Sequence, residues 1–346
     1  MRKRACGLLM GASAAVGLLA GCTGGLPHRF LSLIGLSQKP LVMAFVLTEH
    51  ESEGGLAALV SPFAPYRPLN EGLGHAVGRQ VVEDVCFPFQ LGPSLQLGVA
   101  HLAMIAPVHY AQLSRSGKFE VLAVSADENG QVARPGLLIV PASSPIREVA
   151  DMRGKIVAFG PPSDGRTHEA ALLLLAEHGL KPTDLALEAL PVVGSLKTFP
   201  KSKDVAQSVM NGSSDAGFVD ESAWNTWGAS QPLREGEPTQ GRFRVIAKTM
   251  PVPDYLVVAS PALDATTASA TREFLLSVDK SNPKLLESLR ASGYRAPDPE
   301  LLAACARLLP AEAASPLPAD NGSSPSASTA GDEAGTAPRA PTVASN

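Results

Sequence analysis

KIVAFGPPSDGRTHEAALLLLAEHG, residues 155–179, holds in one stretch the signals on which the fold turns. Lys155 to Phe159 is a short apolar, β-branched run of strand type. Gly160 to Gly165 is a Pro- and Gly-rich turn. Arg166 to His178 has helical spacing and stops at Gly179, the residue type that best tolerates a left-handed C-cap. A strand passing through a tight turn into a helix is half of a βαβ unit, whose strands run parallel beneath packed helices.

The alternation extends both ways from this unit. Upstream, Leu41 to Leu47, Val82 to Phe89 and Leu102 to Ala106 read as strands, with helical spacing over Tyr66 to Val81 and Gly92 to Val99. A second run begins near Gly136, with a strand at Leu137 to Pro141 and a short helix at Pro145 to Met152 ahead of the quoted unit. Beyond it come a short strand at Leu190 to Val193, a helix at Lys203 to Met210 and strands at Ala216 to Val219, Phe243 to Ala247 and Tyr255 to Ala259. Helices at Thr266 to Ser277 and Pro299 to Leu309 close the body. This order predicts an α/β protein of two lobes, each a mostly parallel sheet flanked by helices, joined by crossover strands near Leu138 and Val257. Lobe 1 is expected over 40–137 and 258–310, and lobe 2 over 138–257. Ligands of such sheets bind at the carboxyl ends of the strands, so the cleft between lobes is the expected site.

The N-terminus has its own logic. Arg2, Lys3 and Arg4 precede a small apolar run from Leu8 to Ala20 and then Leu19-Ala20-Gly21-Cys22. The run is short for the ~20 residues that span a bilayer, and the tetrapeptide has the form of a lipobox. Residues 1–21 are thus expected to be a lipoprotein signal peptide, Cys22 the lipidated first residue of the mature chain, and 22–39 its tether, within which Phe30 to Leu36 can form a short helix. Residues 311–346, rich in Ala, Ser, Pro and Gly, bury too little apolar surface to fold and are expected to be a disordered tail. Losing residues 1–21 removes three basic groups and no acidic one, which takes the formal charge from −4 to about −7 and argues against a nucleic-acid partner. Membrane contact is expected through the lipid on Cys22 alone.

After cleavage only Cys22, Cys86 and Cys305 remain, too few for a disulfide framework or a four-cysteine zinc site. Cys86 and Cys305 are expected either as two buried free thiols or as a pair. The seven histidines lack HExxH spacing, and neither a Gly-x-Ser-x-Gly elbow nor a Gly-x4-Gly-Lys phosphate loop occurs. The chain is therefore read as a non-enzyme with no cofactor and no metal.

Several segments, in order, resemble the phosphate-, phosphite- and phosphonate-binding subunits of ABC importers. They are Tyr66-Arg-Pro-Leu69, Gly98-Val-Ala-His-Leu-Ala-Met-Ile-Ala-Pro107 with Tyr110, Asp151-Met-Arg-Gly-Lys-Ile-Val-Ala-Phe-Gly160, Asn211-Gly-Ser-Ser-Asp-Ala-Gly-Phe-Val-Asp220 with Glu221-Ser222-Ala223, and Met250-Pro251-Val252-Pro253. The resemblance spans about Leu41 to Leu263. It implies a type II periplasmic-binding fold, a cleft that closes on a small anionic solute, and delivery to an ABC permease. The expected binding set is Tyr66, His109, Tyr110, Ser163, Arg166, Thr167, Asp220, Glu221 and Ser222, in which His109 and Arg166 stand where the family has other residue types.

The chain departs from the family at the anion-binding turn. Relatives carry Asp-Pro-x-Ser-Thr-Ser-Gly where this chain has Pro161-Pro162-Ser163-Asp164-Gly165-Arg166-Thr167. Arg166 offers a bidentate clamp, and Ser163 and Thr167 can donate. Asp164 either repels an anion or caps the following helix. His109 is read as a loop residue that either contacts solute or packs. Asp220, Glu221 and Ser222 either recognise an amino or hydroxyl group or form a helix N-terminus. Trp224 and Trp227 either line the cleft or face the core. The leading function is a lipid-anchored binding protein for a phosphate-like oxyanion. The alternatives are a diverged binding protein serving another solute, a sensor or an envelope partner, and, last, a lipid-anchored hydrolase.

Overall fold

The computed structural model describes residues 39–46, 64–162, 164–187, 195–230, 242–289 and 291–309, with side chains described to residue 225 in the fourth segment. The signal peptide, Cys22, Ser163, the strand expected at Leu190 to Val193, the Trp227 side chain and the tail lie outside these. In chain order the strands are β1 (Leu41–Val46), β2 (Val81–Cys86), β3 (Leu102–Ile105), β4 (Glu120–Asp127), β5 (Gly136–Pro141), β6 (Val157–Phe159), β7 (Lys197–Thr198), β8 (Ala216–Asp220), β9 (Phe243–Lys248), β10 (Leu256–Ala259) and β11 (Ala291–Arg295). The α-helices are α1 (Arg67–Val77), α2 (Pro88–Gln96), α3 (Pro107–Ser116), α4 (Ala170–Glu177), α5 (Ser202–Met210), α6 (Glu221–Ser230), α7 (Ala265–Ser281) and α8 (Pro299–Ala306).

Strands that are apolar throughout become central ones, because both of their faces are covered. All six residues of β1 are buried, and β1 lies between β2 and β3. The first sheet has the order β11-β4-β10-β3-β1-β2 and the second β7-β6-β8-β5-β9. Within each sheet the βαβ strands run parallel, as β1 does with β2 and β3, and β6 with β7 and β8. Each sheet also takes one antiparallel strand from the far side of the molecule. After β4 the chain leaves the first sheet and inserts β5 between β8 and β9. After β9 it returns and inserts β10 between β3 and β4.

The two crossings therefore run side by side, and Arg134 and Val252 pair across them through N–H···O bonds of 3.1 and 3.0 Å. The first lobe packs apolar side chains on both faces of its sheet, with Leu41, Met43 and Leu102 on one and Ile105, Leu113 and Val258 on the other. The second does the same, with Val157, Phe159 and Phe218 opposite Ile139, Val205 and Val219. A smaller apolar cluster of Ala111, Ala170, Val252 and Leu308 joins α3, α4 and the second crossover. It brings the ends of the two lobes together.

Three differences from the sequence expectations affect the site. The helix expected over Tyr66 to Val81 runs only from Arg67 to Val77, because Gly78 at φ 66° ends it. His109 and Tyr110 are helical, since Pro107 occupies the first turn of α3, where its missing N–H costs nothing. The helix expected from Arg166 opens as a π-helical turn, Gly165–Glu169, before α4.

Candidate functional site

The strand ends of the second lobe build one side of the site. After β6, Gly160 folds the chain back so that its N–H meets the Thr167 carbonyl at 3.2 Å. A Cβ on Gly160 would lie 1.8 Å from Thr167 Oγ1, so glycine is required for this approach. Asp164 caps the turn, its Oδ1 accepting from the Arg166 backbone N–H at 2.9 Å and its Oδ2 from the Thr167 hydroxyl at 2.9 Å. Of the two roles open to Asp164, the structure contains the cap. His168 is buried against Phe159 with Nδ1 3.1 Å from the Gly160 carbonyl, and burial pushes its pKa down.

At the end of β8, Asp220 Oδ1 accepts from the backbone N–H groups of Ser222 and Ala223 at 2.8 and 3.2 Å, and from the Ser222 hydroxyl. Asp220 and Ser222 thus start α6 together. Glu221, one position on, pairs with Lys248 at 2.7 Å on the surface. Trp224 takes the core role, its ring edge-on to Phe243 at 5.9 Å.

The most concentrated chemistry lies where these elements meet the crossovers. Arg166 Nε is 2.7 Å from Asp220 Oδ2 and 3.7 Å from Asp164 Oδ1, and its Nη1 pairs with Asp254 of the second crossover. Arg134 of the first crossover pairs through Nη1 with Asp127 at the end of β4, and its Nη2 lies 3.4 Å from Asp254 and 4.0 Å from Asp220. Two guanidiniums and four carboxylates thus form a continuous ion-pair chain from β4 across both crossovers to the π-helical turn. Burial opposes the charge on Arg166, but Asp164, Asp254 and Asp220 outweigh it and hold its pKa above the ordinary value. Burial likewise opposes ionisation of Asp220, and the neighbouring Arg166 with the Ser222 hydroxyl overcomes it, leaving the Asp220 pKa below the usual carboxylate range.

Of the residues singled out in the sequence, Arg166, Thr167, Asp220 and Ser222 fall in or beside this cluster. His109 and Tyr110 stand in the first turn of α3, and Tyr110 packs against an apolar cluster of the first lobe. Gly165 comes so near the start of α3 that a Cβ on it would lie 3.5 Å from Pro107 Cβ. His109 is buried, which lowers its pKa, with Gln112 offsetting part of the shift. Tyr66 stands at the N-terminus of α1, packed on Phe45 at 4.8 Å between ring centroids. The sequence reading omits Asp127, Arg134 and Asp254. Their only signal is that each is a charged residue in or at the end of a segment linking apolar strands of different lobes.

Residues 63–302 match the family of ABC-transporter phosphonate periplasmic substrate-binding proteins. The chain belongs to this family. Family members are solute-binding proteins rather than enzymes, and they work with an ABC permease. The exchanged-strand architecture is the type II periplasmic-binding fold of its structural neighbours. A Xanthomonas citri protein bound to ATP is similar to this chain with a TM-score of 0.60 and 18% identity, covering 78% of this chain and 96% of its own. A binding-protein component of an ABC phosphonate transporter from Pseudomonas aeruginosa gives 0.53 and 16%, covering 78% and 86%. PhnD1 from Prochlorococcus marinus, in complex with methylphosphonate, gives 0.53 and 12%, covering 78% and 96%. At such identities the likeness is one of fold.

Proposed function

We propose that the protein is a lipid-anchored, extracytoplasmic solute-binding protein of an ABC importer. It captures a phosphate-, phosphite- or phosphonate-like oxyanion between its lobes and presents it to the permease. The supporting observation is the convergence beside the paired crossovers of two chain starts from different lobes, α3 and the π-helical turn, with Gly165 against Pro107. Backbone N–H groups at helix starts favour anions, although here Pro107 has none and the Arg166 N–H serves Asp164. Arg166, immobilised by Asp220 and Asp254, supplies a fixed positive group, and Thr167 places beside it a hydroxyl whose proton Asp164 Oδ2 holds in the solute-free protein. The proposed contacts are Tyr66, His109, Tyr110, Ser163, Arg166 and Thr167 for the oxyanion, with Asp220, Glu221 and Ser222 toward the rest of the solute. Residues 40–137 with 258–310, and 138–257, are taken as the two bodies that close on it about the crossovers. Cys22, in its lipobox context, is the proposed anchor.

The test is the thermal midpoint of the body beginning after Cys22, measured with phosphate, phosphite, methylphosphonate, 2-aminoethylphosphonate, sulfate, ATP and amino acids. A solute at ~100 times its Kd stabilises by about 2.7 kcal/mol, a shift of several degrees for a body of this size. A shift confined to phosphorus oxyanions supports the proposal. The excess of carboxylates over guanidiniums in the cluster favours a second reading, a diverged binding protein for another solute or an envelope partner. A panel in which no phosphorus compound shifts the midpoint selects that reading.

A further inference from the structure

We propose that Arg166 is a resident cation: its guanidinium fills a carboxylate niche between the lobes and thereby tunes the site toward solutes that carry no cationic group. Asp164, Asp220 and Asp254 reach this guanidinium from three separate elements, the turn after β6, the end of β8 and the second crossover. Three carboxylates around one point are an environment for a cation, whether it belongs to a solute or to the chain. Here the chain supplies it from a backbone that cannot easily withdraw. The Arg166 N–H is held by Asp164 at 2.9 Å, and its carbonyl is so close to Gly136 that a Cβ there would come within 2.6 Å.

The occupancy is ionic rather than geometrically matched. Arg166 Nε and Asp220 Oδ2 are 2.7 Å apart, yet among the described residues neither atom makes an aligned hydrogen bond, and Asp220 is only 8% exposed. A small, freely oriented cation would therefore find unsatisfied, buried acceptor capacity once Arg166 is removed. While Arg166 is present it offsets one of the three carboxylate charges and occupies the place a solute ammonium group would take, so an ammonium gains less there, and an oxyanion is repelled less, than without it. Arg134 cannot substitute, because its Nη1 is committed to Asp127 and its Nη2 stands 4.0 Å from Asp220.

Two titrations by calorimetry test this. The first adds methylguanidinium to the wild-type body and to Arg166→Ala, with Arg166→Met, which keeps the aliphatic stem, in its place should the alanine variant not fold. We expect saturable binding to the variant, none to wild type, and loss of binding when Asp220→Asn is added. Absence of binding to the folded variant, or equal binding to both proteins, overturns the proposal. The second compares ethylphosphonate with 2-aminoethylphosphonate, which differ by the amino group. Arg166→Ala is expected to move the preference toward the aminated compound by at least about tenfold relative to wild type, a modest share of what a close charge pair is worth. A preference that is the same in wild type and Arg166→Ala also overturns it. The second arm rests on the proposed function and the first does not. If wild type binds neither phosphonate, the solute assignment fails while methylguanidinium still decides the niche.

Discussion

Glu169, at the end of the π-helical turn, has a buried Oε2 with no hydrogen-bond partner among the described residues. Burial, with Asp164 nearby, pushes its pKa up to about 8 from an ordinary 4.5. The folded chain therefore keeps a proton that the unfolded chain gives up. The stability this contributes is complete below pH 4.5 and is lost as pH rises toward 8, at about 1.4 kcal/mol per pH unit for one proton. Glu169→Gln cannot titrate, so its stability relative to wild type should climb across that window and level off above it. Denaturant midpoints at a series of pH values read this directly, and parallel curves for the two proteins would contradict it. The sequence discloses the turn as special, through its prolines, glycines and a helix-capping Asp164. It does not disclose the ion-pair chain. Arg166 and Asp254 are 88 positions apart, and only the return crossover brings them together.

At the scale of elements, Gly136 links β5 to the site, since its Cα stands directly against the Arg166 backbone carbonyl. Gly136→Ala would place a methyl group 2.6 Å from an oxygen that belongs to backbone and cannot rotate away. We expect a loss of ~1–3 kcal/mol, as for other overpacked positions, together with weakened solute binding. Thermal unfolding and the solute titration measure both, and an unchanged midpoint would show that the turn yields more readily than the packing implies. Elements that bury a continuous apolar run, such as β1, β3 and β8, are legible as sequence. Those defined by their neighbours are not. Glu120–Asp127 carries the same buried apolar run, Val121 to Val124, and its absence from the sequence reading is an oversight, whereas Ala291–Arg295 has no such run and its place is fixed by pairing with β4. The π-helical turn is likewise hidden, since its bond from the Ala170 N–H to the Gly165 carbonyl accompanies the docking of Thr167 on Gly160, a tertiary contact that composition does not disclose.

For the whole molecule, the alternation of α/β units predicts two sheets, and the exchange of β5 and β10 between them makes the paired crossovers the axis about which we propose that a solute is enclosed. Cys86 and Cys305 are free and buried, and burial pushes their pKa values up to about 11 and about 12. A body lacking Cys22 should therefore leave both thiols unreactive toward a water-soluble disulfide reagent at neutral pH and release them only on unfolding. In the full-length chain, Cys22→Ser should abolish metabolic fatty-acid labelling and release the protein from membranes. Retained label would place the lipid elsewhere. The central claim is that the cleft holds one phosphorus oxyanion without a cationic group, and titration calorimetry of methylphosphonate into the wild-type body tests it most directly. A single saturable site per chain, with no competition from alkylammonium salts, is the predicted result; no heat from methylphosphonate, phosphite or phosphate would contradict it.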